Sequence, residues 1–153
     1  VLIVGAGGET RGVIAPLLVL RPAELVVANR TADRAEAFAA QFADLGSVRG
    51  CGFEDIGDGP FDVVINATSA SLSGEVPGIP ASVVLPETVC YDMAYGRHET
   101  SFLKWAREQG CIHAVQGLGM LVEQAAESFQ LWRGVRPQTA PVLAALRERL
   151  SAS

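Results

Sequence analysis

Eight residues near the start of the chain, Gly5-Ala6-Gly7-Gly8-Glu9-Thr10-Arg11-Gly12, have the composition of an anion cradle. An unbroken apolar run, Val1-Leu2-Ile3-Val4, leads into them, and apolar residues at helical spacing follow over about 9–20. Glycines let the backbone turn sharply and let a phosphate oxygen come close to bare N–H groups. A helix that starts there points its positive end at the phosphates. Strand, glycine turn and helix in this order hold a dinucleotide pyrophosphate, here on Gly5, Ala6, Gly7, Gly8 and Glu9. The spacing departs from G-x-G-x-x-G, because Thr10 stands where the third glycine would fall and Gly12 extends the motif to G-x-G-G-x-x-x-G. The competing reading is a glycine turn that serves tight packing alone.

A second polar segment, Asn29-Arg30-Thr31-Ala32-Asp33-Arg34, follows the apolar run over 25–28. This lies about 20 residues beyond the glycines, where NAD sites carry an acid for the ribose 2′-hydroxyl. A carboxylate there would repel a 2′-phosphate, whereas an arginine offers it a planar fork of donors. Asn29, Arg30, Thr31 and Arg34 therefore point to NADP(H) over NAD(H). The alternative is that Arg30 and Arg34 merely solvate a helix start, paired with Asp33 and Glu36.

Polar or flexible residues recur after three further apolar runs. Asn66-Ala67-Thr68-Ser69 follows 62–66, Asp92-Met93-Ala94-Tyr95-Gly96 follows 89–92, and Gly117-Leu118-Gly119-Met120 follows 111–115. Asn66 and Thr68 have the size and polarity to line ribose and phosphates, although turns favour such residues anyway. Met93 and Met120 are either a polarisable wall for a nicotinamide or ordinary gap-fillers. Gln124 shares a helix face with Met120 at i, i+4, where it either reaches a substrate hydroxyl or is solvated.

The elements that must position these groups alternate. Strands are predicted over 1–4, 25–28, 47–49, 62–66, 89–92 and 111–115. Helices are predicted over 9–20, with a kink or break at Pro16, and over 32–42, with Thr31 as N-cap. Others are predicted over 101–109, stopped by Gly110; over 118–132, ended by Gly134 and Pro137; and over 139–150. The helix over 118–132 carries an apolar stripe of Leu121, Ala125, Phe129 and Trp132, and the last has an apolar side of Val142, Leu143, Leu146 and Leu150. Such alternation predicts one α/β domain over 1–153, a doubly wound, mostly parallel, Rossmann-like sheet of about six strands with helices on both faces. Right-handed crossovers bring every strand's C-terminal end to one edge, where ligands bind.

The composition narrows the function classes. With 153 residues, 49% hydrophobic, 19% charged and a net charge of −5, the chain lacks the basic balance of a nucleic-acid or membrane-surface binder. Cys51, Cys90 and Cys111 are widely spaced and odd in number, which fits a reducing, cytoplasmic setting better than a disulfide frame or a zinc site. His98 and His113 are too far apart to form a metal cluster. No apolar run reaches the roughly 18 residues that span a bilayer. The chain opens inside a strand and without Met, so an upstream segment is expected.

Taken together, these segments resemble the C-terminal NADP-binding domain of the shikimate dehydrogenase family. The likeness is carried by Gly-Ala-Gly-Gly at 5–8 with Arg11-Gly12, Asn-Arg-Thr at 29–31 with Arg34, and Asn-Ala-Thr-Ser at 66–69. It continues through Asp92-Met93, Tyr95-Gly96, Thr100, Phe102-Leu103, Gly-Leu-Gly-Met-Leu-Val at 117–122, Gln124-Ala125-Ala126 and Leu131-Trp132-Arg133-Gly134. Glu9, Ser71 and Ser101 depart from the usual Ala, Gly and Pro, and Glu9 is tolerable beside phosphates only if it points away.

The resemblance implies reversible reduction of 3-dehydroshikimate to shikimate with NADPH, in aromatic amino-acid biosynthesis. It places Met93 and Gly117 beside the nicotinamide, with Asn66, Thr68 and Met120 near them, and makes Tyr95 and Gln124 substrate contacts. It also implies that the proton-transfer Lys and Asp belong to an N-terminal substrate domain outside this chain; the apolar side of the helix over 139–150 packs either on that domain or on this one. Lys104, the one lysine here, reads as a solvated surface residue, so no catalytic residue is assigned. Two rivals remain, an NAD(H)-using quinate/shikimate paralogue and a non-catalytic nucleotide-binding module. A glutamyl-tRNA reductase domain is disfavoured by the acidic charge and by residues 117–124.

Overall fold

A computed structural model describes residues 1–152, with every side chain among them except that of Leu72. Six parallel strands, β1 (Leu2–Val4), β2 (Leu25–Ala28), β3 (Val48–Cys51), β4 (Val63–Asn66), β5 (Val89–Asp92) and β6 (His113–Gln116), form one sheet. Their order is β3-β2-β1-β4-β5-β6, so the chain winds outward from β1 in both directions. Five helices connect or flank them: α1 (Gly8–Val19), α2 (Ala32–Ala40), α3 (Ser101–Glu108), α4 (Leu118–Arg133) and α5 (Thr139–Ala152).

Successive strand side chains point to opposite faces, and the core divides accordingly. Leu2, Val4, Val26 and Val64 pack with Phe102, Leu103 and Ala106 of α3 on one face. Ile3, Leu25, Val27 and Ile65 pack with Ile14 and Leu18 of α1 and Phe38 of α2 on the other. Both faces of β1 and β2 are fully covered, which is why these strands are continuous apolar runs. Each such side chain contributes about 1.5–3 kcal/mol on burial.

Several boundaries differ from expectation. Helix α1 continues through Pro16, because Pro16 and Gly12, whose carbonyl loses its partner, are both exposed and water can replace the missing bond. Thr31 occupies the N-cap of α2 but makes no side-chain cap bond, and α2 ends at Ala40, earlier than predicted. Strand β3 extends to Cys51, because α2 lies directly on Gly50: a Cβ there would sit 2.2 Å from the Ala35 carbonyl oxygen. Strand β6 starts at His113, because Cys111 is still tied to α3 through its N–H to the Ala106 carbonyl at 3.0 Å.

The predicted stripe of α4 is also corrected. Its buried residues are Val122 and Ala126, whereas Phe129 is 45% and Trp132 80% exposed. The helix carries two neighbouring apolar stripes, and the shorter one is buried. Helix α5 lies against α4 and buries no residue fully. Among the described residues no helix is long and apolar enough to cross a membrane.

Two glycines separate packing from propensity. Gly50→Ala forces α2 away from β3 and is expected to cost about 1–3 kcal/mol. Gly12→Ala, inside α1 with nothing within 4 Å of the new Cβ, is expected to add about 0.8–1 kcal/mol. Urea denaturation of the two variants checks the contrast, and a shift of the same sign in both would contradict it.

Candidate functional site

The strand order reverses at β1, so the loops after β1 and β4 leave in opposite directions and a crevice opens between them. Gly5 sits at its base. Its φ of +109° favours glycine, and a Cβ would lie 2.9 Å from the Ala67 carbonyl oxygen and 3.1 Å from Thr68 Cγ2. Thr10 explains the missing third glycine: it is fully buried, and its Oγ1 donates to the Gly5 carbonyl at 2.7 Å. The first turn of α1 is thereby tied to the glycine turn.

Gly7 and Gly8 are different. A Cβ at either would meet nothing within 4 Å, so packing does not require glycine there. No side chain caps the N-terminus of α1, and the N–H groups of its first turn have no partner within the helix. A side chain at Gly7 or Gly8 would fill the space through which an anion approaches those donors. Packing thus requires glycine at 5 but not at 7 or 8.

A cleft of about 400 Å³ runs from this turn. Gly5, Ala6 and Gly7 line it together with Asn29, Arg30 and Arg34 from the start of α2, and with Thr68 beyond β4. Phe53, Val76 and Pro77, for which the sequence indicates no site role, also line it. Asn29 shapes the corner by donating its Nδ2 to the Thr31 carbonyl at 3.1 Å, while Thr31 itself is exposed and does not line the cleft. Among the described residues neither Arg30 nor Arg34 forms a salt bridge, so Asp33 and Glu36 do not neutralise them.

Beside this cleft a hollow of about 320 Å³ is bounded by Gly7, Gly8, Arg11, Arg34 and Gln41. Arg11 is fixed there. Its Nη2 donates to Gln41 Oε1 at 2.8 Å, and its guanidinium lies 5.2 Å from the centroid of the Phe38 ring. Sequence reasoning gave Arg11 no role, although its place one helical turn past Gly7 was the available signal. Glu9, in the same first turn, is exposed.

The remaining residues gather further along the strand ends. Asn66 is fully buried beneath Thr68, whose N–H and Oγ1 both donate to Asn66 Oδ1, at 3.1 and 2.7 Å. Met93 and Met120 meet in an apolar groove of about 390 Å³ on the α1 side of the sheet, with Ile65 and Tyr91. Burial pushes the Tyr91 hydroxyl above its ordinary pKa, while a hydrogen bond with the Met120 backbone pulls the other way. A Cβ on Gly117 would lie 2.3 Å from the Met93 carbonyl oxygen, so only glycine lets α4 begin against the end of β5. Tyr95 and Gln124 are both exposed, on the loop after β5 and on α4.

A glycine turn and a helix start at the switch point, two unpaired arginines after β2 and a glycine seat under α4 reproduce one pattern across the chain. Residues 1–73 match the family described as "Shikimate / quinate 5-dehydrogenase", and residues 117–147 match "Shikimate 5'-dehydrogenase C-terminal domain". The chain belongs to the shikimate dehydrogenase family. It is 58% identical over 147 residues to the shikimate dehydrogenase (NADP(+)) of Alkalilimnicola ehrlichii, covering 96% of this chain and 54% of that protein. An Ael1 enzyme from Pseudomonas putida has the same fold, with a TM-score of 0.87 and 47% identity over 95% of this chain and 53% of its own. A shikimate dehydrogenase solved in complex with NADP+ has a TM-score of 0.77 and 30% identity, over 98% of this chain and 54% of its own. The chain spans about half the length of the curated relatives it matches.

Thr10→Val keeps the side-chain shape but leaves the Gly5 carbonyl without its donor. The expected loss is about 1–3 kcal/mol of stability, read by urea denaturation. An unchanged midpoint would show that the tie between turn and helix carries no energy.

Proposed function

We propose that this chain is the NADP(H)-binding half of a shikimate dehydrogenase, which interconverts 3-dehydroshikimate and shikimate. The observation that carries the reading is the pair Arg30 and Arg34, neither in a salt bridge among the described residues, lining the cleft that begins at Gly5 and that Glu75 also borders. The residues present fit the dinucleotide. Open N–H groups at Gly7 and Gly8 receive the pyrophosphate, and Arg30, Arg34 and the braced Arg11 bracket a 2′-phosphate. Glu9 is exposed and its carboxylate can turn to solvent, leaving its backbone N–H for the phosphates.

When bound, the nicotinamide supplies or accepts the hydride at the carbon bearing the substrate oxygen. The chain's own residues hold and shield. Thr68, on its Asn66 support, borders the ribose. Met93 and Met120 form a water-poor wall, and Gly117 keeps the start of α4 close to it. Tyr95 and Gln124 contact substrate hydroxyls from this side of the cleft. Lys104, exposed on α3, is the only lysine, and the proton for the developing alkoxide comes from the other half of the enzyme. We place the contact with that half on the exposed apolar surface of α4 and α5, around Trp132 and Val142. A cytoplasmic location is consistent with three free, buried cysteines.

The rival with NAD(H) as cofactor calls for an acid at the end of β2, where this chain has Asn29 and Arg30. In calorimetric titrations the chain is expected to bind NADPH at least tenfold more tightly than NADH. Arg30→Ala and Arg34→Ala should each remove about 1.5–3 kcal/mol from NADPH binding alone. Equal affinity for the two cofactors would refute the reading.

Glu9→Gln tests the departure from the family pattern. The acid favours the positive end of α1 by about 0.3–1 kcal/mol but opposes the phosphates. The variant should therefore melt earlier without ligand and bind NADPH more tightly, and movement of both in one direction would contradict this. The purified 153-residue chain is expected to form no NADPH from NADP+ and shikimate. Turnover by it would place the proton-transfer groups in this half.

A further inference from the structure

Asp92 ends β5 fully buried, and among the described residues no cation pairs with it. Its carboxylate instead accepts four hydrogen bonds. Oδ1 takes the Ala94 N–H at 3.0 Å and Asn66 Nδ2 at 3.2 Å. Oδ2 takes Ser71 Oγ at 2.7 Å and Thr100 Oγ1 at 2.6 Å. The donors come from the end of β4, the turn after it, the loop after β5, and the N-cap of α3.

The direction of every bond is determined. Asn66 Oδ1 is occupied by the two Thr68 donors, so its amide nitrogen must face Asp92 and Ser71. Ser71 Oγ accepts from Asn66 at 3.1 Å and Thr100 Oγ1 accepts from the Leu103 N–H at 3.4 Å, so both hydroxyl protons go to Asp92. Only a group that accepts at both atoms completes the set. Burying a carboxylate costs several kcal/mol unless it is fully hydrogen-bonded, and apolar residues would join two strands more simply. What the network adds is a defined separation between the segments it ties.

Those segments are two walls of the proposed site. One is Asn66 with Thr68. The other is Met93 and Ala94, against which Gly117 is seated by its N–H to the Ala94 carbonyl at 3.2 Å. We propose that Asp92 is a positioning residue that sets the spacing of the nicotinamide end of the cleft, acting through Asn66, Ser71 and Thr100. The proposal rests on the NADP(H) reading.

The test compares NADPH with 2′-phospho-ADP-ribose, which has the same phosphates and adenosine but no nicotinamide, in calorimetric titrations of the 153-residue chain. The wild type should favour NADPH. Asp92→Asn turns an amide toward two donors and should weaken NADPH about tenfold while leaving 2′-phospho-ADP-ribose within about twofold. Ser71→Gly and Thr100→Val should give the same selective loss, about threefold each, and Thr100→Ser should restore the wild-type value. Circular dichroism establishes which variants fold, and the Ser71 and Thr100 variants decide if Asp92→Asn does not. Equal weakening of both ligands, no weakening of NADPH, or a wild type that binds both alike would overturn the proposal. A wild type that binds neither would overturn the NADP(H) reading on which it rests.

Discussion

A parallel sheet releases its chain at one edge. Six strands pointing the same way bring six loops to that edge, and α1, α2 and α4 start there with no side chain capping their positive ends. The proposed site depends throughout on that alignment. The glycine turn, the arginines after β2, Thr68 after β4, Met93 after β5 and Gly117 after β6 are far apart in sequence and share one rim. The strand-order reversal at β1 then makes a crevice of it, because no helix crosses directly between the ends of β1 and β4.

Close backbone approach converts the rim into defined walls. Gly5 against Ala67 and Gly117 against Met93 leave no room for a Cβ, so the loops can occupy only these places. Thr10 fastens the turn from the helix side and Asp92 fastens the strand ends from below. Electrostatics acts on the same local scale. The chain carries a net charge of −5, yet Arg11, Arg30 and Arg34 gather around one corner of the rim. Net charge speaks to bulk partners, and a single phosphate responds to its immediate neighbours.

Much of this was legible in the sequence, because apolar runs of strand length meet glycine or small polar residues at each strand end. The runs at β2 and β5 were bounded correctly, since Asn29 and Asp92–Met93 mark sharp changes in pattern. β3 was shortened because Arg-Gly-Cys is a weak strand signal, and its Gly50 is explained only by α2 lying on it. On α4, periodicity allows two stripes, and only the tertiary fold selects Val122 and Ala126 as the buried one. Arg11 has no legible role in the sequence, because its bracing partners, Phe38 on α2 and Gln41 just past its end, lie far along the chain. Asp92 read as the end of a strand, since three of its donors lie 8, 21 and 26 residues away and nothing local announces them.

The central claim is that the corner after β2 grips a 2′-phosphate as a dianion. A phosphate monoester loses its second proton near pH 6 in solution, and arginines within about 4–6 Å lower such a value by roughly 1–3 units. Phosphorus NMR of NADP+ bound to the chain, followed through pH, reads this group directly. The 2′-phosphate resonance should titrate at least one unit below that of free NADP+, and Arg30→Ala should move it back. A bound 2′-phosphate that titrates as it does in free solution would contradict the claim.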